Sequence, residues 1–220
     1  MRISDSLKVF VFQKNKFDLD FTKPDDIWSA QEKKDSTEIT NTDSFEPSKP
    51  AQNLLNKITP KGTDDKDVLA LAPKPDIIIA GEKKKAGIVV DIETNVLYTY
   101  DSDGNPTKAY LVASGAKGSP TEKGIRIVTH KEKFPYRSAV GTKRKRNPKD
   151  YGPFIIILKK INPVTGEQSK TGEFIHGCRS YQATFETDPG RYVSHGCVRM
   201  DNEAIVAVKE VKSGTIVIIQ

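Results

Sequence analysis

Residues 192–200 read YVSHGCVRM, and residues 173–181 read EFIHGCRSY. The tripeptide His-Gly-Cys stands in both, at His176 to Cys178 and at His195 to Cys197. Together the two copies use both cysteines and two of the three histidines of the 220-residue chain. Three explanations compete for so uneven a distribution: a metal site, a disulfide, and a thiol nucleophile with its base.

Two Cys and two His match a tetrahedral zinc set in number, but not in spacing. Structural zinc pairs are separated by two or more residues so that a tight turn aims both at one ion, whereas His-x-Cys in an extended chain leaves them about 7 Å apart. A disulfide would use the cysteines and leave both histidines without a role. Two buried thiols acting as small apolar groups would not need the small polar stretch SHGCVR around Cys197. The nucleophile reading uses every residue. An adjacent imidazole lowers a thiol's pKa and takes its proton, and the glycine before the cysteine permits a tight bend with exposed N–H groups for an oxyanion. Ser194 then becomes a small-residue floor, Gly196 an oxyanion donor and Arg199 a cation for a carboxylate-bearing substrate. Spacing alone leaves open which histidine is the base.

Working outward, the sequence from about Ala86 alternates short β-branched and aromatic runs with turn signals: GIVVDI, NVLYTY, KAYLVAS, GIRIVTH, PFIIILKK and the terminal GTIVIIQ. Asp103-Gly104 predicts a hairpin turn between the second and third of these. One helix is expected over MDNEAIVAVKEVKSG, with Asp201 capping its start, Glu203 in the first turn, Lys209 and Lys212 in the last, and Gly214 closing it. The fold class is α+β and mostly β, with at least one packed helix. Both His-Gly-Cys elements fall at strand ends, where rigid elements hold polar groups in a cleft.

Residues 1–85 are read as a polar N-terminal extension or linker, and residues 86–220 as the folded domain. The extension is rich in Lys, Asp, Ser, Thr and Pro, with short docking segments at DDIWSA and NLLNKI. Charge divides at nearly the same place. Residues 1–75 carry 12 basic against 13 acidic side chains, and residues 76–220 carry 23 against 16. A net +7 there suits an anionic partner. The cluster TKRKRNPKDYG at 142–152 ends in turn signals with no interleaved aromatics, so it reads as an exposed loop and not as a nucleic-acid motif. No run is long enough for a membrane span, and no secretory signal is legible.

These residues resemble the L,D-transpeptidase catalytic domain, of the YkuD type. That family's signature is a His-Gly pair, a gap, and then Ser or Thr followed by His-Gly-Cys, an apolar residue and Arg or Asn. Here His176 and Gly177 are followed, after the 17 positions from Gly177 to Val193, by SHGCVR. The resemblance runs from about Ala86 to Gln220. It departs from the family at Pro120-Thr121-Glu122, where Thr-Pro is usual, and at Cys178, which replaces a small residue.

The resemblance implies a β-rich transpeptidase domain in which Cys197 is the nucleophile. His176 would be the base, the Gly177 carbonyl would orient it, and His195 would shape the oxyanion region. The implied reaction is attack on the third peptide carbonyl of a peptidoglycan stem, release of D-Ala with formation of a thioester, and resolution by an amine of another stem or of an anchored protein. Water as the resolving group would give an L,D-carboxypeptidase, and loss of turnover would give a wall-binding module. Neither cofactor nor metal is implied. The expected partners are peptidoglycan stem peptides and anionic wall polymers, in an extracytoplasmic location, periplasm or cell wall. Cys178 is expected two residues along the strand from His176, near enough for an oxidised pairing with Cys197.

Overall fold

The β-branched runs take up strands in the order in which they occur. The computed structural model describes residues 53, 56–59, 61–134, 151–177 and 192–220. All lie in the unit Phe45–Gln220. Trp28, the basic residues at 142–150 and Cys178 fall outside the described residues, and with them the expectations placed on docking by DDIWSA, on the exposed basic loop and on a disulfide.

The strands are β1 (Asp76–Ile79), β2 (Glu82–Lys85), β3 (Ile88–Asp91), β4 (Val96–Tyr100), β5 (Pro106–Gly115), β6 (Gly124–Lys133), β7 (Phe154–Ile161), β8 (Gln168–His176), β9 (Tyr192–Ser194), β10 (Val198–Met200) and β11 (Ile216–Ile219). Among the described residues two short helices accompany them, α1 (Lys66–Leu69) and α2 (Asn202–Val208). The result is mostly β. Nine strands form one sheet in the order β10-β8-β7-β6-β11-β3-β4-β5-β9, and β10 pairs with β5 as well as β8, which closes the sheet on itself. Closure removes two open edges and encloses an interior.

That interior is lined by Ile88, Val90, Leu97, Val112, Ile156, Leu158, Ile175, Val198, Met200 and Val217, and Ala204, Ile205 and Val208 of α2 pack into it. Burial of each such aliphatic side chain contributes roughly 1.5–3 kcal/mol. Asp201 caps α2 through its side chain, which accepts from Glu203 N at 2.7 Å. The helix is shorter than the sequence pattern predicts. It ends at Val208 with Lys209 as its C-cap, because Val211 turns back onto the core and Gly214 serves a later turn, donating its N–H to Val128 O.

The outer faces are covered by residues ahead of β3. Ile58 and Val68 pack on Val96, Tyr98, Ala109 and Leu111 of β4 and β5. Ile77 and Ile79 of β1 pack on Ile125, Ile127, Ile161 and Ile216. The β1–β2 hairpin forms its own two-stranded sheet, with all four residues of β2, EKKK, exposed. Among the described residues no helix is long and apolar enough to cross a membrane.

Candidate active site

Two strands and one turn carry the predicted residues. β8 ends on His176, and the segment Ser194 to Cys197 links β9 to β10. β8 and β10 run parallel, with Val198 beside Ile175 and Arg199 beside His176. Val198, Met200 and Ile175 point into the core, so the alternation of side chains puts Arg199 and His176 on the opposite face. Cys197 precedes β10 by one residue and falls alongside Phe174.

The thiol meets an irregularity in β8. Pairing with β7 steps from Ile157 opposite Phe174 to Lys159 opposite Lys170, so Thr171, Gly172 and Glu173 bow out opposite the single residue Leu158. Bulges of this kind re-aim groups beside active sites. Here the re-aimed carbonyl belongs to Gly172, and Cys197 Sγ donates to it at 3.8 Å. Burial pushes the Cys197 thiol up, with Glu173 acting in the same direction, while a hydrogen bond from the Phe174 backbone and the charge of Arg199 oppose the rise. The resting sulfur is therefore a protonated thiol at neutral pH.

His176 is 2% exposed. Its Nδ1 lies 2.5 Å from Gly177 O. A carbonyl can only accept, so Nδ1 holds the proton and Nε2 keeps its lone pair. Burial lowers the pKa to about 4, with Arg199 contributing in the same direction and the Gly177 carbonyl opposing it. The imidazole is neutral near pH 7 and ready to accept a proton. Tyr151 packs against it, ring centroids 4.9 Å apart and tilted by 60°, and meets Phe174 edge-on at 6.3 Å. Gly177 has no room for a side chain, since a Cβ there would lie 2.5 Å from Asn202 Oδ1 and 3.0 Å from Pro153 Cδ. Any larger residue would displace the carbonyl that holds the ring.

The turn before Cys197 is bonded at nearly every peptide. Ser194 Oγ donates to Cys197 O at 2.5 Å and accepts from Gly196 N at 3.1 Å. Gly196 has φ +101°, in the region that favours glycine. Its N–H is engaged by Ser194, so in this geometry Gly196 N is not an open oxyanion donor. Ser194 is thus a brace for the turn, where the sequence suggested only a small-residue floor. His195 is exposed at the tip of the turn. Arg199 is half-buried, and its Nε is a buried donor without a hydrogen-bond partner among the described residues. Such a group costs free energy until an acceptor reaches it.

Of three further participants, Arg126 and Glu173 carried no signal in the sequence, and Thr121 stood out only as part of a departure from the family's usual loop. Thr121 is buried in the loop between β5 and β6 and bonds both Gly115 N and Gly196 O. Buried Arg126 pairs with half-buried Glu173 at 2.7 Å, which ties β6 to the β8 bulge. Glu173 also accepts from Glu122 N, and Arg126 donates to Glu122 O, so the pair clamps the same loop. Glu122 is joined from the outside by Lys160. Among the described residues no three His, Cys, Asp or Glu side chains gather as metal ligands would.

A family model for the L,D-transpeptidase catalytic domain, YkuD, matches residues 85–219. No curated protein matches. Among solved structures, one from Bdellovibrio bacteriovorus is similar at 19% identity over 67% of this chain and 51% of the other, with a TM-score of 0.46. An Enterococcus faecium L,D-transpeptidase mutant is similar at 20% identity over 62% of this chain and 50% of the other, TM-score 0.42. A Stackebrandtia nassauensis L,D-transpeptidase is similar at 18% identity over 77% and 64%, TM-score 0.42. The similarity spans about half the length of the first two of these chains.

Proposed function

Because the chain belongs to the L,D-transpeptidase catalytic domain family, we propose that it is a cysteine-dependent L,D-transpeptidase acting on peptidoglycan stem peptides. The observation that carries this reading is the arrangement on one face of β8 and β10: a buried neutral imidazole, a half-buried thiol and a guanidinium with an unmet donor. An acyl donor that ends in a carboxylate would use all three.

In this mechanism His176 Nε2 takes the Cys197 proton as the sulfur attacks the carbonyl joining the third and fourth stem residues. A neutral thiol and a neutral imidazole exchange the proton within the reaction, so no ion pair has to exist beforehand in the buried site. The tetrahedral oxyanion is held by backbone N–H groups of the turn that carries Cys197, with His195 shaping that region. Collapse expels D-Ala, whose amine receives the proton from His176, and leaves a thioester on Cys197. An acceptor amine then attacks, loses its proton to His176 and releases the thiol. The product is a 3-3 cross-link or an anchored protein. Arg199 binds the donor's terminal carboxylate through the Nε that lacks a partner. The work is extracytoplasmic, where the polymer is.

Incubation with a disaccharide tetrapeptide and mass spectrometry of the products tests the reading. Release of D-Ala with a cross-linked dimer supports transpeptidation. A tripeptide alone identifies water as the acceptor and an L,D-carboxypeptidase. No release of D-Ala contradicts the proposal and leaves the fold as a wall-binding module.

A further inference from the structure

We propose that Thr121 is a positioning residue for acyl transfer, whose hydroxyl sets the direction of the Cys197 N–H. The inference rests on the reading of Cys197 as the acylated residue. Ser194 O accepts from Ala116 N at 2.8 Å and from Ser119 Oγ at 3.3 Å. Cys197 O and Gly196 N are both held by Ser194 Oγ. That leaves the peptide between Gly196 and Cys197, and its carbonyl accepts from Thr121 Oγ1 at 3.0 Å.

A trans peptide is planar, with C=O and N–H pointing in opposite directions. Holding Gly196 O against Thr121 therefore turns the Cys197 N–H away from the loop. This N–H belongs to the nucleophile itself, and oxyanion donors of acyl-transfer sites are commonly of this kind. Thr121 is in turn fixed by accepting from Gly115 N at 2.8 Å, so its single proton is committed to Gly196 O. The residue is 4% exposed, which keeps water from replacing the hydroxyl. The bond to Gly196 spans 75 positions in sequence, so no local preference of the SHGC turn could supply it.

The test compares Thr121→Val and Thr121→Ser with the unaltered protein in three measurements. The first is the rate of Cys197 acylation by a carbapenem, which forms a tetrahedral oxyanion. The second is the rate of alkylation by iodoacetamide, which forms none. The third is hydrogen exchange at the Cys197 amide by NMR. Thr121→Val is expected to slow acylation by about 10- to 100-fold, leave alkylation unchanged and alter exchange at Cys197. Thr121→Ser should restore both altered quantities. Unchanged acylation in Thr121→Val overturns the inference, as does an equal fall in both chemical rates that Thr121→Ser does not repair. If the unaltered protein is not acylated at all, the functional reading fails. The exchange measurement then decides for Thr121, since an unchanged Cys197 amide in Thr121→Val overturns its role.

Discussion

Two turns in this domain do similar geometric work by opposite means. Between β4 and β5, Asp101 organises its own turn: its carboxylate accepts from Asp103 N at 3.0 Å and Asn105 N at 2.8 Å, and Gly104 supplies φ +83°. Every partner lies within four residues. Between β9 and β10, Ser194 provides a local brace, but Gly196 O and Ser194 O are held by Thr121 and Ser119, each 75 positions away. A turn that only reverses the chain can be written locally. A turn that must hold a side chain at a fixed point is tied to the body that defines that point, and on the proposed reading damage far away in sequence reaches the thiol.

The largest expected effect comes from cutting the long-range tie at its base. Arg126→Ala takes the cation from half-buried Glu173 and the donor from Glu122 O. A loss of about 3 kcal/mol in stability is expected, the lower end for a broken buried pair, and chemical denaturation measures it. Next in size is Ser194→Ala, which frees Cys197 O and Gly196 N together. Carbapenem acylation should fall by about 10²-fold, the scale of a misplaced reacting group. A comparable rate in Ser194→Ala would mean that the distant ties suffice alone.

Acid supplies a third test. The His176 pKa is about 4 in the folded protein against an ordinary 6.5, because burial disfavours the cation. The unfolded chain therefore binds the extra proton first. The stabilisation is complete above pH 6.5, is lost as pH falls from 6.5 towards 4, and levels off below that. It amounts to roughly 3 kcal/mol. His176→Asn should flatten the pH dependence of stability in this window, and the acid limb of the acylation rate should fall near pH 4. The smallest effect belongs to the locally held turn. Asp101→Ala should lower the melting temperature only slightly, because the turn it organises is exposed to solvent, with acylation unchanged. Any loss of acylation there would break the contrast between the two turns.

The same contrast explains what could be read beforehand. β3 to β7 and β11 were legible because IVV, VLY, LVA, IRIV, FIIIL and IVII are β-branched runs between turn signals. The β1–β2 hairpin was not. EKKK has no alternation, and the apolar DIII beside it reads as an isolated island within polar sequence. Helix α1 has four residues, too few for periodicity to register, although Val68 within it is fully buried. His176 and Cys197 stood out because the chain is so poor in both residue types. Thr121, Arg126 and Glu173 are common residues in a charged sequence. Their roles exist only once β5, β6 and β8 are folded against one another, so no spacing could announce them.

The central claim is that Cys197 carries the acyl group. It is tested most directly by intact-mass measurement and peptide mapping after incubation with the stem tetrapeptide and no acceptor amine. The account predicts an adduct of the tetrapeptide less D-Ala on Cys197, formed more slowly in His176→Asn and absent in Cys197→Ala. An adduct on another residue, or release of D-Ala by Cys197→Ala at the unaltered rate, would contradict it.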